Sequence, residues 1–165
     1  MKKKMMLMAA LCGVLGTSAL AAGENDNLEG VKLCIDDSSF TAKIGGLENT
    51  SGKLAQSLYD YFVDQAAVQK IAIDELGAKT CADYSVSLDF GATTGTPRAW
   101  YGSVNLYDST SYFSPKASDV YKQPVSVWSS EYYGVLASND GLADFLLTQG
   151  KGIIDEFLKA YQSVN

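Results

Sequence analysis

The stretch that decides the fold is YSVSLDF at 84–90, taken together with WYGSVNLY at 100–107. In both segments apolar or aromatic residues alternate with other residues, and a period of two places them on one face of a β-strand. The turn at 91–97 separates the segments, so the pattern predicts a hairpin of two half-buried antiparallel strands. The residues expected to face the core are Tyr84, Val86, Leu88, Phe90, Trp100, Gly102, Val104 and Leu106, while Tyr101, Ser103, Asn105 and Tyr107 face away.

Shorter strands and two long helices flank this hairpin in the sequence. Residues 31–35 and 40–44 have the composition of short strands, and 125–128 is predicted to be another. Large apolar residues recur at helical spacing over 52–76 and again over 140–161, which predicts two amphipathic helices.

Several parts of this assignment stay open. Residues 108–124 are rich in Ser and Tyr and are expected to form a long loop, and 129–138 shows no clear pattern. The run Ile71-Ala72-Ile73 fits the end of a helix but also the start of a strand. Gly150 and Gly152 each disfavour a helix by about 1 kcal/mol relative to Ala, so they indicate a kink or a close contact between helix and sheet.

Strands gathered in sequence between two long helices predict an α+β fold. We expect one mainly antiparallel sheet of four to five strands, with both helices packed on one of its faces. The length fits a single domain, assigned to 31–163, and the polar residues 22–30 before it are expected to be disordered.

The first 21 residues predict a cleavable signal peptide. Three lysines at 2–4 precede an uncharged apolar run to Leu20, and Ala19-Leu20-Ala21 has the small residues of a cleavage site. We expect cleavage near Ala21 and a periplasmic or secreted protein that does not span a membrane afterwards; an uncleaved anchor is the alternative. Cys12 lies within the apolar run without the small preceding residue of a lipoprotein signal, so lipidation is not expected.

Charge and the absence of histidine exclude several kinds of function. Loss of the three amino-terminal lysines takes the net charge from −6 to −9, and such an acidic chain repels nucleic acid. The chain has no histidine, which excludes His-dependent catalytic triads and the usual His-containing metal sites. We therefore expect no enzymatic activity, no cofactor, no metal and no nucleic-acid partner.

Two cysteines remain after the predicted cleavage. Cys34 and Cys81 form an even pair in an oxidising compartment, so the simplest prediction is a disulfide between them. Closing a loop of this length stabilises a protein by about 4 kcal/mol in the chain-entropy treatment. Two buried free thiols are the alternative.

The aromatic content is the feature that folding explains least. The chain has 10 Tyr and 2 Trp, many of them within 100–133, and such side chains suit binding surfaces for protein or sugar. The alternative is that half of them lie in the core and the rest cover the sheet. Arg98 fits a carboxylate clamp or an exposed loop charge. The candidate binding residues are Tyr101, Tyr107, Tyr112, Tyr121, Trp128 and Arg98.

Adjacent carboxylates occur at Asp36-Asp37, Asp74-Glu75 and Asp155-Glu156. Neighbouring side chains in a strand point to opposite faces, and residues i and i+1 of a helix do not face each other. None of these pairs is therefore expected to serve as an acid/base pair.

The layout over 30–162 resembles small periplasmic or outer-membrane-associated α/β domains of bacteria. It is similar to the amino-terminal domain of the Tol-system periplasmic propeller protein and to the core of curli-secretion-type lipoproteins. The resemblance lies in LGAKTCADYSVSL at 76–88 and IIDEFLKAY at 153–161, and in Gly77, Ala82, Asp83, Tyr84, Phe157 and Tyr161. It implies a non-enzymatic envelope protein, although the chain lacks the lipobox of the lipoprotein members.

Together these observations predict a secreted or periplasmic, non-catalytic module of the bacterial envelope that binds a protein or a glycan. The binding surface is expected at the tyrosine-rich sheet edge or in the loop at 108–124. The alternatives are a small-ligand carrier with a site lined by Tyr and Trp, and, ranked below it, a hydrolase that uses carboxylates.

Overall fold

The computed structural model of the chain describes residues 24–75, 78, 81, 83–113 and 123–165, with the backbone alone at 24, 111–113 and 123. The predicted signal peptide lies outside these residues. The fold is α+β, as expected. The described elements are β1 (Leu33–Ile35), β2 (Phe40–Ile44), α1 (Glu48–Val68), β3 (Ile73–Glu75), β4 (Tyr84–Ala92), β5 (Arg98–Phe113), β6 (Gln123–Leu136) and α2 (Leu142–Gln162).

The strands form two sheets, so the expectation of one mainly antiparallel sheet was wrong. The larger sheet has the order β2-β4-β5-β6; β2 runs parallel to β4, and β4, β5 and β6 run antiparallel. The smaller sheet is the parallel pair β1-β3. A 3-10 helix at Asp37–Ser39 separates β1 from β2. The two strands then pair with different partners, β1 with β3 and β2 with β4.

The first helix is shorter than the helical spacing predicts, because a left-handed residue ends it. Lys70 has a φ of 60°, and its N–H bonds to the Ala67 carbonyl while the N–H of Ile71 bonds to the carbonyl of Ala66. These two bonds are the Schellman pattern that closes a helix carboxyl end. The chain then enters β3, so the strand alternative for 71–73 describes this region better than a helix to residue 76.

The predicted loop at 108–124 was wrong in its described parts. β5 continues to Phe113 and β6 begins at Gln123, and these two residues are register partners. The register shifts between Leu106 and Tyr107 and again between Asp108 and Tyr112. These irregularities obscure the alternation on which strand prediction depends. The unassigned segment after residue 128 is the second half of β6.

One face of the larger sheet and both helices enclose the core. Phe40 of β2 packs edge-on against Phe62 of α1, with ring centroids 5.4 Å apart. Trp100 of β5 packs in the same way against Phe145 of α2 at 5.3 Å. The register places Phe40 and Trp100 on the same face, so both helices cover one side of the sheet, as expected. The predicted core residues Trp100, Val104 and Leu106 are buried there.

The two helices approach each other closely at Gly150. A Cβ placed on Gly150 would lie 2.5 Å from Cδ2 of Leu58, whereas one on Gly152 would have no neighbour within 4 Å. Gly150 therefore permits a contact between α2 and α1, not the contact between helix and sheet that the sequence suggested.

The disulfide between Cys34 and Cys81 is confirmed. The two Cα atoms are 5.6 Å apart, and the bond ties β1 to the segment that leads into β4. Both cysteines are buried.

Residues 22–30 were expected to be disordered, but the described part, 24–30, is ordered. Glu24–Leu28 is a 3-10 helix, and the Leu28 side chain is 0% exposed. The side-chain amide of Asn165 donates to the Leu28 carbonyl at 2.8 Å, while its oxygen accepts from the N–H of Gly30 at 2.7 Å. The buried Leu28 side chain and these two bonds hold the segment in place. Two bonds to β6 add to them: the Asn27 amide donates to the Val127 carbonyl, and the Trp128 indole N–H donates to Asn25. Within the described part of the chain, no helix is long and apolar enough to cross a membrane.

Candidate binding face of the sheet

The larger sheet has a second face, opposite the helices, which we call the open face. Strand alternation places Thr41 and Lys43 of β2, Asp89 and Gly91 of β4, Tyr101 and Ser103 of β5, and Glu131, Tyr133 and Val135 of β6 on it. Tyr101 is 51% exposed, Tyr133 85% and Val135 70%. Large side chains on this face therefore remain accessible to solvent.

Four register partners form one row across the whole sheet, which we call the cross-strand row. Lys43 is the partner of Gly91, Gly91 of Tyr101, and Tyr101 of Tyr133. Directly opposed residues on neighbouring strands have Cβ atoms about 5 Å apart. The row therefore carries a cation at the β2 edge, a gap at β4 and two phenol rings on β5 and β6.

The ring of Tyr101 fills the space that Gly91 leaves. A Cβ on Gly91 would lie 2.2 Å from Cε1 of Tyr101, so the ring packs directly over the glycine backbone. A shallow depression of about 390 Å³ lies beside this ring, lined by residues that include Lys43, Gly45, Thr93 and Ala99. The glycine thus fixes the ring against the sheet without burying it.

The depression is positive on an otherwise acidic chain. Among the described residues that line it, Lys43 is charged and no side chain is acidic. Lys43 is exposed and forms no ion pair with any residue that the structure describes. The same face also carries two carboxylates, Asp89, which accepts the Thr41 hydroxyl, and Glu131.

Arg98 is a buried structural residue, so both predicted roles for it, a carboxylate clamp and an exposed loop charge, were wrong. Its side chain is 6% exposed at the first position of β5. The guanidinium donates to the side-chain oxygen of Asn139 and to the backbone carbonyls of Gly45 and Thr93. The planar fork of arginine suits several fixed acceptors at once. Arg98 thereby ties together three turns, two of which border the depression.

Trp128 is also structural. It is 8% exposed, its ring lies 5.1 Å from that of Phe157, and its indole N–H donates to Asn25 at 3.2 Å.

The predicted tyrosines have different outcomes. Tyr107 lies half-buried on the open face. The Tyr112 side chain and all of Tyr121 lie outside the described residues. Of the six predicted binding residues, Tyr101 and Tyr107 are the two that the structure places on the open face.

Lys43, Gly91 and Val135 were not identified from the sequence, and Tyr133 was counted in the aromatic-rich range 100–133 but not among the candidate binding residues. The alternation of Glu131, Tyr133 and Val135 was a usable signal, but Tyr132 on the opposite face interrupts the apolar pattern. The Tyr132 hydroxyl donates to Glu156 of α2 at 2.5 Å. This hydrogen bond, followed by desolvation, raises the pKa of Tyr132 above 10. Tyr132 thus fastens β6 to the helix layer, while Tyr133 points away from it.

A second depression, of about 540 Å³, gathers carboxylates that the sequence shows only as separate pairs. Parallel pairing of β1 with β3 brings Asp36 and Asp37 near Asp74 and Glu75. Two of the four have structural partners. Asp74 forms a 2.5 Å ion pair with Lys32, and Asp36 caps the 3-10 helix, where the hydroxyl of Ser38 lowers the pKa of Asp36.

The acidic depression does not have the arrangement of a metal site. Within the described ranges, no three acidic or cysteine side chains are placed to hold an ion together. The open face is therefore the stronger candidate for a functional site.

Comparison of the sequence with protein-family models finds no match, and a search of curated proteins finds no significant match. The functional interpretation depends on the geometry of the open face.

Proposed function

We propose that this protein is a secreted or periplasmic, non-catalytic module of the bacterial envelope that binds a protein or glycan partner through the open face. The observation that carries the proposal is the pairing of Tyr101 with Tyr133 on that face, together with exposed Val135 beside them. Of the large apolar side chains exposed among the described residues, the β5–β6 hairpin contributes Tyr101, Tyr132, Tyr133 and Val135.

Exposed aromatic residues on a rigid sheet are well suited to binding. Tyrosine offers a large contact area and a polar hydroxyl, and such residues carry much of the energy of many interfaces. The strand backbone is already ordered by pairing on both sides of β5. Binding on this face therefore costs little conformational entropy beyond that of the side chains.

The compartment in this proposal follows from the disulfide and from residues 1–21. A disulfide between buried cysteines fits an oxidising compartment outside the cytoplasm. We expect the mature chain to begin after Ala21, which amino-terminal sequencing of the protein from the native cell checks. A chain that retains Met1 in the cell would contradict export by a cleaved signal.

The carrier alternative receives less support from the geometry. A ligand held between sheet and helices would need space there, but large side chains fill this layer, among them Phe62, Phe90 and Phe157. Trp128, expected to line such a site, is 8% exposed and packs in the same core, although it also borders a surface depression of about 320 Å³ with Glu156 and Ala160 of α2. The described depressions considered above lie at the surface.

Affinity capture from the native envelope tests the proposal. The double variant Tyr101→Ser/Tyr133→Ser removes both rings, and the wild type is expected to capture a partner that this variant loses. Val68→Ser is the matched control, because Val68 is 75% exposed at the end of α1, away from the open face. Equal capture by the wild type and the double variant would contradict binding through this face.

A further inference from the structure

We infer that two copies of this chain dimerise by packing their open faces against each other, with Tyr133 of each copy placed over Lys43 of the other. The inference rests on the proposed function and names a second copy of the chain as the partner for the same face. The open face is complementary to itself in shape and in charge, which makes Lys43 and Glu131 interface residues.

One symmetry operation relates the two copies. Its two-fold axis runs along the strands, between the two facing sheets and midway between β4 and β5. Facing sheets pack about 10 Å apart, with their strands within about 30° of each other. Because the sheet order is β2-β4-β5-β6, the rotation places β2 of each copy over β6 of the other and β4 over β5. Every contact is then made twice, as in the isologous interface of most homodimers.

The protruding and recessed parts of the face lie on opposite sides of this axis. Tyr133 and Val135 of β6 are 85% and 70% exposed. The depression of about 390 Å³ lies on the other side, where Lys43 and Gly45 line it. The rotation brings β6 of one copy over the depression of the other, so the two exposed side chains meet a recess.

The position of the Tyr101 ring leaves room for the same ring of the second copy. The ring leans from β5 onto β4, since a Cβ added to Gly91 would lie 2.2 Å from Cε1 of Tyr101. It is therefore displaced to one side of the axis, and the rotation displaces the ring of the second copy to the other side. The two rings lie next to each other at the centre of the interface, where aromatic residues contribute most to binding energy.

The charges of the face are complementary under the same rotation. A second row of register partners, next to the cross-strand row, consists of Thr41, Asp89, Ser103 and Glu131. Lys43 of one copy lies over Tyr133 of the other and within reach of Glu131 beside it, so its ammonium group meets a carboxylate and a ring face. Asp89 of one copy faces Ser103 of the other. Within these two rows, the rotation places no carboxylate over another.

The acidic net charge of the chain opposes association over a longer range than these contacts. At physiological ionic strength charges are screened over about 8 Å, so carboxylates outside the interface repel weakly across it. Asp89 accepts the hydroxyls of Thr41 and Ser87 within its own copy. Burial of the exposed tyrosines and Val135 supplies the favourable free energy. The dimer should therefore tighten as salt is raised from low to physiological ionic strength.

Sedimentation equilibrium of the purified, disulfide-bonded protein over a concentration series tests the inference. We expect a monomer–dimer equilibrium at physiological salt. Lys43→Glu and Glu131→Lys should each weaken the dimer at least about tenfold, because each turns two attractive contacts into two repulsive ones. Lys53→Glu makes the same change of net charge at an exposed position on α1 and should keep the wild-type dissociation constant. A wild type that stays monomeric, or a Lys43→Glu variant that dimerises like the wild type, would overturn the inference.

Recombination of the two charge variants separates a direct contact from a folding defect. A mixture of Lys43→Glu with Glu131→Lys restores both ion pairs across the interface, so a heterodimer should form although each variant alone associates weakly. The double variant Lys43→Glu/Glu131→Lys has the net charge of the wild type and should dimerise like it. Failure of both combinations to recover association would show that Lys43 and Glu131 do not pair across the interface.

The failure of this inference can be told apart from failure of the proposed function. If the protein is monomeric but envelope capture still depends on Tyr101 and Tyr133, the inference is wrong and the open face binds another protein or a glycan. A dimer that Tyr101→Ser/Tyr133→Ser retains has its interface elsewhere, which also overturns the inference. If neither capture nor dimerisation depends on the two tyrosines, the proposed function fails as well.

Discussion

Tyr101 and Tyr133 are direct partners across β5 and β6, and both rings are exposed on the face of the sheet that the helices leave open. The preceding residue of β5, Trp100, lies on the opposite face and is buried over its register partner Gly134. A Cβ added to Gly134 would lie 2.7 Å from the indole nitrogen of Trp100. The same two strands therefore bury one aromatic residue in the core and present two to solvent. This separation links the fold to the proposed function.

Substitution of the two α2 glycines by alanine should have opposite effects on stability. Gly150→Ala places a methyl group against the buried Leu58, and overpacking of this kind costs about 1–3 kcal/mol. Gly152→Ala meets nothing within 4 Å and should gain up to about 1 kcal/mol from helix propensity. Urea unfolding of the two variants checks both signs. Equal stabilisation by both would contradict the close contact between α1 and α2.

Removal of the disulfide should cost about 4 kcal/mol of unfolding free energy. The bond spans 47 residues, and opening a loop of that length raises the entropy of the unfolded chain. Cys34→Ala/Cys81→Ala is the variant, measured by urea denaturation against the oxidised wild type. Addition of a reductant should destabilise the wild type but leave the variant unchanged. If the reductant also destabilised the variant, loss of this disulfide would not explain the effect of the reductant on the wild type.

Replacement of Arg98 should lower the free energy of unfolding, although Arg98 forms no ion pair with a described residue. Arg98→Lys keeps the charge but loses the fork that reaches Asn139, Gly45 and Thr93, and we expect a loss of about 2–4 kcal/mol. Lys43→Gln, which changes an exposed charge on β2, should stay within about 0.5 kcal/mol of the wild type. Thermal unfolding compares them. A wild-type midpoint for Arg98→Lys would contradict the buried role.

Stability should fall as the pH rises above about 10. Desolvation raises the pKa of Tyr161 above its usual value of 10.0, and its hydroxyl donates to the Val31 carbonyl at 2.6 Å. A group with a raised folded-state pKa contributes stability that is complete below the unfolded pKa and is lost as pH passes the folded one. Tyr161→Phe should lose about 1 kcal/mol at pH 7 and show a smaller further loss above pH 10. An alkaline loss as large as that of the wild type would exclude Tyr161 as its source.

Local alternation predicted the strands that pair with their neighbours in sequence, but not the pairing of distant ones. The faces of β4 and β5 followed from YSVSLDF and WYGSVNLY because a period of two fixes which side chains are buried. The parallel partners of β1 and β2 are set by a helical crossover and a short 3-10 turn, which leave no periodic signal. The division into two sheets was therefore beyond prediction from pattern.

The binding face could be predicted only in part for a related reason. Tyr101 was correctly placed on the outward face, since its strand was recognised. Tyr133 and Lys43 join it through register across β6 and β2, which composition does not reveal. Arg98 was misplaced because its partners are backbone carbonyls of turns distant in sequence, and such acceptors have no residue signature. The resemblance to Tol-system and curli-secretion domains stays a prediction, and Gly77 and Ala82, two of its residues, lie outside the described part of the chain.

Site-specific photo-cross-linking in the native cell tests the central claim most directly. A benzoylphenylalanine placed at Tyr133 lies on the open face, and the same residue placed at Val68 is exposed at the end of α1. We predict that the probe at Tyr133 forms a discrete cross-linked product with an envelope component and that the probe at Val68 does not. Cross-linking from Val68 alone, or equally from both positions, would contradict the open face as the binding surface.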